Sequence, residues 1–281
     1  MHPEISVIIP FYNVEKYIDE CLASIEAQTF GDFEAILIND ASTDMSSTVA
    51  NKYLQKDKRF KLITLENNKG PGAARNIGMK EVLGKYTCFI DSDDYIVPET
   101  FEILINRVKK SDILIFNGNS FNEEKEYDTN KYFPLEENYF YNNRILNDYK
   151  MQLVHCQSPC LKIYSTSFLK NNHLFFPEGV YGEDVEFWMR CLLATKKICY
   201  TDFHGYMRRY REGSIMTSLT EKNLRDRIAG FDVLLELCEH DLYINNYIIG
   251  VYIPWVVRKV HTNKNEELID YLNNTIYRLA K

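Results

Sequence analysis

Apolar residues in the first 118 positions follow two alternating rhythms. Short runs rich in β-branched and aromatic residues, at Ser6–Pro10, Phe33–Asn39, Phe60–Leu65, Tyr86–Asp91 and Ile113–Asn117, predict strands. Between them Val14–Ala27, Thr43–Leu54, Pro71–Val82 and Pro98–Val108 carry helical spacing, with Pro71 and Pro98 as first helical residues. Strands alternating with helices predict right-handed βαβ units and a mostly parallel, Rossmann-like α/β sheet sandwiched by helices. Ligands of such sheets bind beyond the carboxyl ends of the strands.

The rhythm fades after residue 118. Asn119–Tyr149 is polar, rich in Asn, Glu and Tyr, and reads as a variable insertion. Apolar content returns over 151–215. Beyond residue 220, Leu224, Ile228, Phe231, Leu235, Cys238 and Leu242 recur every three or four positions, which is one helix stripe. The chain therefore divides into 1–118, 119–219 with the insertion, and a helical tail at 220–281. Docking of the stripe onto its own domain is favoured, with a homodimer seam as the alternative.

Charge and cysteine usage narrow the setting. The 281 residues carry a formal charge of −7, which opposes nucleic acid and anionic lipid. Seven cysteines, mostly in apolar runs, read as reduced core residues of a cytoplasmic protein; Cys156 and Cys160 lack a second pair at zinc spacing. Met1-His2-Pro3-Glu4 has no basic lead, so no signal peptide is expected. The longest apolar stretch, Tyr247–Val257, is broken by Gly250 and Pro254 and falls short of the ~20 residues that span a bilayer. Membrane contact would have to be peripheral, at the inner face.

The chemistry is concentrated in Asp91-Ser92-Asp93-Asp94, directly behind the apolar run Tyr86–Ile90. An acidic cluster ending a buried strand is costly unless it holds a cation. If the strand continues through it, alternation puts Asp91 and Asp93 on one face and Ser92 on the other. Hard oxygen ligands of this kind suit Mg²⁺ or Mn²⁺ with waters and a phosphate. Helix capping is the plainer alternative, but Asp91 and Asp93 lie too far ahead of Pro98 to cap a helix starting there; a solvated turn also stays open. A dinucleotide fingerprint fails. Gly70-Pro71-Gly72-Ala73-Ala74-Arg75 has Arg where Gly or Ala is needed and follows the third strand, not the first.

Five segments in order carry a resemblance. Ser6-Val7-Ile8-Ile9-Pro10-Phe11-Tyr12-Asn13, Ile38-Asn39-Asp40-Ala41-Ser42-Thr43-Asp44, Asn68-Lys69-Gly70-Pro71-Gly72-Ala73-Ala74-Arg75-Asn76-Ile77-Gly78, Asp91-Ser92-Asp93-Asp94 and Gly182-Glu183-Asp184 closely resemble the motifs of family 2 glycosyltransferases with the GT-A fold. The resemblance spans about residues 4–216 and implies that 1–118 form the nucleotide-sugar-binding half and 119–219 the acceptor-binding half. It implies an inverting transferase using a nucleotide-diphosphate sugar, usually a UDP-sugar, with Mn²⁺ or Mg²⁺. It also implies a glycan or lipid-linked glycan acceptor, in cell-surface polysaccharide or glycolipid assembly.

Carried over position by position, Pro10 and Tyr12 resemble the residues lining the base, and Asp40 the carboxylate accepting the uracil N–H. Arg75 matches the arginine at the nucleotide. Asp91 resembles the ribose and diphosphate-side carboxylate and Asp93 the direct metal ligand, with Asp91 beside it. Asp184 corresponds to the base for the acceptor hydroxyl and Glu183 to its neighbour at the acceptor. The stretch Tyr206–Ser214 resembles one that closes over the diphosphate, with Arg211 and Ser214 as favoured contacts.

Each residue has a plainer reading beside this one. Tyr12 could be core packing, Asp40 a turn with Ser42 and Thr43, Arg75 a solvated charge, and Asp184 a helix cap. The family usually has Asp at Asn39 and Gly at Ala41, and many relatives have Trp where Pro159 or Cys160 stands. Two other function classes compete: a sugar-phosphate nucleotidyltransferase, which should carry a Gly-rich basic loop after strand one, unlike Phe11–Lys16, and a catalytically inactive sugar-nucleotide-binding scaffold.

Overall fold

A computed structural model describes residues 2–108, 110–122, 127–128, 153–210 and 220–279. Among them β1 (Ile5–Phe11), β2 (Phe33–Asn39), β3 (Phe60–Thr64), β4 (Tyr86–Phe89), β5 (Tyr95–Ile96), β6 (Ile113–Phe121), β7 (Tyr127–Asp128), β8 (Lys162–Ser165) and β9 (Ile198–Arg209) form one sheet. Its order is β3-β2-β1-β4-β8-β6-β9-β5, with β7 on β6. Parallel pairing runs through β3-β2-β1-β4 and returns at β6–β9. The other ladders are antiparallel: β8 inserts between β4 and β6 running against both, β5 pairs with β9 and β7 with β6, so the sheet is mixed. Every residue of β1 and β2 is buried, as expected of strands covered on both faces.

Helices α1 (Ile18–Glu26), α2 (Ser46–Lys56), α3 (Pro71–Glu81) and α4 (Thr100–Arg107) connect the first strands. Three of the four fall inside their predicted spans, and Pro71 does open its helix. Pro98 does not. Its carbonyl accepts from the Thr29 amide, the Thr100 amide turns back to the Val97 carbonyl, and α4 starts two residues later than expected.

Helices α5 (Thr166–Asn171) and α6 (Glu183–Ala194) follow β8. The tail is α7 (Glu221–Ala229), α8 (Phe231–Cys238), α9 (Leu242–Tyr247), a π-helical turn (Ile248–Tyr252), α10 (Ile253–Asn263) and α11 (Glu266–Leu279). The predicted stripe is thus three helices rather than one, broken at Gly230 and again where Asp241 caps α9 through the amides of Tyr243 and Ile244. The stripe docks on its own chain: Leu224, Ile228, Phe231 and Cys238 are buried, and α8 packs against α6. Leu242, at 70% exposure, lies beyond the break and is not part of that face.

A chain ending at Ser218 would therefore uncover the face of α6 that these helices bury. We expect it to aggregate or to melt at least ~10 °C lower, given ~2–4 °C per kcal/mol for a chain of this size. Differential scanning calorimetry with gel filtration checks this; a soluble monomer with an unchanged Tm would show that the tail carries no docking energy.

Candidate active site

The strand carboxyl ends open into a cleft of ≈ 400 Å³. Pro10, Tyr12, Asp40, Arg75, Asp91, Asp93, Glu183 and Asp184 all line it. The two remaining predicted residues, Arg211 and Ser214, lie outside the described residues.

The acidic cluster reaches the cleft by a different route from the one expected. Strand β4 stops at Phe89, and the Asp94 amide bonds back to the Asp91 carbonyl at 3.0 Å. A tight turn, not strand alternation, presents Asp91 and Asp93 half-exposed while burying Ser92 and Asp94. Asp94 fastens this turn. Its Oδ2 accepts from the Tyr206 hydroxyl at 2.6 Å and its Oδ1 from the Arg209 amide at 2.7 Å. The Tyr206 hydroxyl in turn accepts from the Asp91 amide. Burial pushes the Asp94 carboxyl well above the usual carboxylate range, with the charges of Asp93 and Asp91 adding to the rise. Arg209 adds a clamp: its Nε donates to the Asp93 carbonyl at 3.0 Å and its guanidinium pairs with Glu20. Arg209 is thereby committed to holding the turn, and it lines the cleft together with Arg208.

Among the described residues no group of three or more His, Cys, Asp or Glu forms a ready cage for a metal. Two half-exposed carboxylates on a turn crowded with negative charge do fit an ion that keeps most of its water and takes phosphate ligands, as Mg²⁺ does.

Arg75 is not a solvated charge. It is 6% exposed, its Nη2 donates to Asp91 Oδ1 at 2.8 Å, and its Nη1 donates to Glu183 Oε1 at 2.9 Å. The guanidinium thus ties the turn after β4 to the start of α6, and Arg75 reaches across 108 positions of sequence to Glu183. Burial opposes its charge, but Asp91 and Glu183 outweigh that and raise its pKa. Gly72 ahead of it permits the approach: a Cβ there would stand 2.5 Å from the Pro177 carbonyl oxygen and 3.2 Å from Glu183 Cγ.

Glu183 and Asp184 open α6, after Gly182 in the left-handed region at φ 91°. Glu183 is buried, and its carboxylate is occupied by Arg75 and by the Gly182 amide. Burial pushes its carboxyl up, with Arg75 pulling against the rise. Asp184 is half-buried at the cleft; its Oδ1 accepts from the Val185 amide at 3.0 Å. It is therefore the more accessible carboxylate of the two.

At the other end of the cleft Tyr12 is 45% exposed, which removes the core-packing reading of its ring. Asp40 is buried, and its oxygens accept from the Lys69 amide at 2.7 Å and the Gly70 amide at 2.8 Å. It forms no turn with Ser42 and Thr43 through its side chain; Asn39 accepts from the Ser42 amide instead. Ala41 sits in the left-handed region at φ 61°, a position glycine occupies without penalty.

Two functional groups escaped the sequence reading. Asp94 was part of the motif but had no assigned role, and only its burial against Tyr206 reveals one. Arg227, from α7 of the tail, lines the cleft beside Gly182 and Asp184. No local pattern marks it, because it arrives through tertiary packing.

The model of the family described as Glycosyl transferase family 2 matches residues 6–172. Glycosyltransferase GlyG of Streptococcus pneumoniae serotype 4 is 31% identical over 245 residues, 83% of this chain and 80% of that protein. The poly(ribitol-phosphate) beta-N-acetylglucosaminyltransferase TarS of Staphylococcus aureus is 35% identical over 220 residues, 76% of this chain but 37% of its own length. Among solved structures, S. aureus TarS 1-349 in complex with UDP-GlcNAc superposes with a TM-score of 0.75 and 28% identity, covering 97% of this chain and 79% of that one. A mannosyltransferase from Pyrobaculum calidifontis, solved with GDP-Man and Mn²⁺, is 13% identical with a TM-score of 0.63 and shares the fold.

Proposed function

The chain belongs to glycosyl transferase family 2 and is a glycosyltransferase with a nucleotide-sugar donor, and from that premise we propose an inverting transfer from a UDP-sugar to a hydroxyl of a glycan or lipid-linked glycan. One observation carries the reading: two acidic motifs remote in sequence, Asp91–Asp93 and Glu183–Asp184, line a single cleft with Arg75 between them. Cell-surface polymer assembly is the setting suggested by the TarS likeness, and N-acetylglucosamine is the first sugar to test. Among the described residues no helix is long and apolar enough to cross a membrane. The seven cysteines are buried and form no disulfide, which favours a reducing, cytoplasmic side for the reaction.

The placement of the lining residues supports the following roles. Residues 1–118 bind the donor. Pro10 and Tyr12 form the wall for the base, with the exposed Tyr12 ring available to stack. Asp40 shapes the Lys69–Gly70 loop and retains lone pairs for the uracil N–H, since a carboxylate has about four acceptor sites. Asp93 and Asp91 would hold Mg²⁺ or Mn²⁺, whose charge offsets the negative charge growing on the leaving diphosphate. Asp184 takes the proton from the acceptor hydroxyl as that oxygen attacks the anomeric carbon. With Glu183 tied to Arg75, one accessible carboxylate remains on that wall, which suits single displacement with inversion.

Calorimetric titration of UDP with and without EDTA tests the donor side. Chelation should weaken UDP at least ~10-fold, and Asp40→Ala should cost a further ~1.5–3 kcal/mol, the range for a charge-assisted hydrogen bond. Equal affinity with and without EDTA would remove the metal from this reading. UDP release from UDP-N-acetylglucosamine, UDP-glucose and UDP-galactose then separates the enzyme from an inactive scaffold, which would bind UDP and release none.

A further inference from the structure

Three arginines of this cleft are described by their partners, and they differ in how their charge is met. Arg75 pairs with Asp91 and Glu183, and Arg209 pairs with Glu20. Arg227 forms no ion pair among the described residues. Its Nη1 donates to the Tyr252 hydroxyl at 3.1 Å, its guanidinium lies 5.4 Å from the Trp255 ring centre, and its Nε is shielded from solvent without an acceptor.

That guanidinium is held in place from several directions. Helix α7 is capped by Thr220, whose hydroxyl accepts from the Asn223 amide, and Leu224 and Ile228 on either side of the arginine are buried. A Cβ on Gly182 would stand 2.7 Å from Nη1, so the bare glycine backbone at the start of α6 is what lets the group sit there. The tail therefore delivers a fixed, partly desolvated cation to the cleft, beside the Gly182 backbone at the start of α6. Burial opposes the charge of this guanidinium and the nearby Tyr252, Asp184 and Glu183 favour it, but neither carboxylate pairs with it directly, and its buried N–H without an acceptor is unfavourable. An oxyanion with planar or tetrahedral oxygens completes it well, because the fork of N–H groups matches that geometry.

We propose that Arg227 is the anion-recognising group of a substrate subsite beside Asp184, and that the substrate seated there carries a phosphate ester or carboxylate close to the reacting hydroxyl or sugar. This rests on the assignment of Asp184 to the acceptor side under the proposed function. The helical tail is then part of the active site and selects the substrate, beyond its packing role.

The test is calorimetry on the full chain saturated with UDP. Glycerol 3-phosphate should bind saturably in the millimolar range and glycerol should not. Arg227→Gln should weaken glycerol 3-phosphate at least 10-fold, about 1.4 kcal/mol, leave UDP affinity within twofold, and keep the Tm; Arg227→Lys should restore part of the loss. A second arm, on the full chain without UDP, compares UDP-glucuronate with UDP-glucose: a loss in Arg227→Gln confined to UDP-glucuronate assigns the oxyanion to the donor sugar instead of the acceptor. Equal binding of both anionic probes by wild type and Arg227→Gln, or no preference of wild type for either anionic probe over its neutral analogue, overturns the proposal. Failure of UDP itself to bind would overturn the donor assignment first, and this subsite with it.

Discussion

Asp184→Asn is expected to lower transfer by ~10²–10⁴-fold, the usual contribution of a positioned general base, while UDP affinity stays unchanged. The amide keeps the shape of the side chain and an oxygen that can still accept from the Val185 amide, so the start of α6 should hold. What it loses is the basicity. Asp93→Asn should behave differently, losing metal-dependent UDP binding together with turnover, because a neutral amide is a poor ligand for a hard cation. Measuring UDP affinity and sugar transfer on both variants, matched for folding by circular dichroism, separates the two walls of the cleft. Wild-type turnover in Asp184→Asn would show that the base is misassigned. Glu183 would then have to give up its contact with Arg75 to act.

Arg75→Met should cost ~3–5 kcal/mol of stability, the range for removing one member of a buried charge network. The methionine occupies similar volume but leaves Glu183, 8% exposed, with a buried carboxylate and no cation. The Glu183 carboxyl already lies above its ordinary 4.5 because of burial, and loss of Arg75 should push it further up. A native carboxyl with a raised pKa binds more protons than the unfolded chain does, so stability falls as pH rises through that window. The variant should therefore be less impaired near pH 5 than near pH 8. Arg75→Met combined with Glu183→Gln should recover part of the loss, since the neutral amide no longer needs the cation. Urea unfolding of wild type, single and double variants at both pH values reads all of this; a single variant within 1 kcal/mol of wild type would mean the bridge is not what joins the two motifs.

Asp40 and Arg75 show how the local and the tertiary levels interact. The motif context places both at the cleft, and both line it. Their side chains, however, are largely engaged within the protein: Asp40 with the Lys69 and Gly70 amides, Arg75 with Asp91 and Glu183. A family pattern says which residue types recur at a position. It does not say whether their lone pairs and protons face a ligand or the chain itself.

The chain's periodicity was enough to fix what depends on neighbours a few residues apart. It located β1 to β4, the helices between them, the clusters beyond the strand ends and the apolar stripe of the tail, because burial on one face of a helix or in a covered strand imposes its period directly on the sequence. Tertiary structure decided whatever depends on residues far apart in the chain. It inserted β8 against β4 and β6, replaced the expected strand alternation at Asp91–Asp93 with a turn fastened by Asp94 to Tyr206 and Arg209, and split the stripe at Gly230. It buried Arg75 between two motifs and brought Arg227 from the tail to the side of Asp184. Those outcomes turn on which charges become desolvated and which partners then meet them, and a desolvation cost is a property of the packed molecule, with no period to read in the chain.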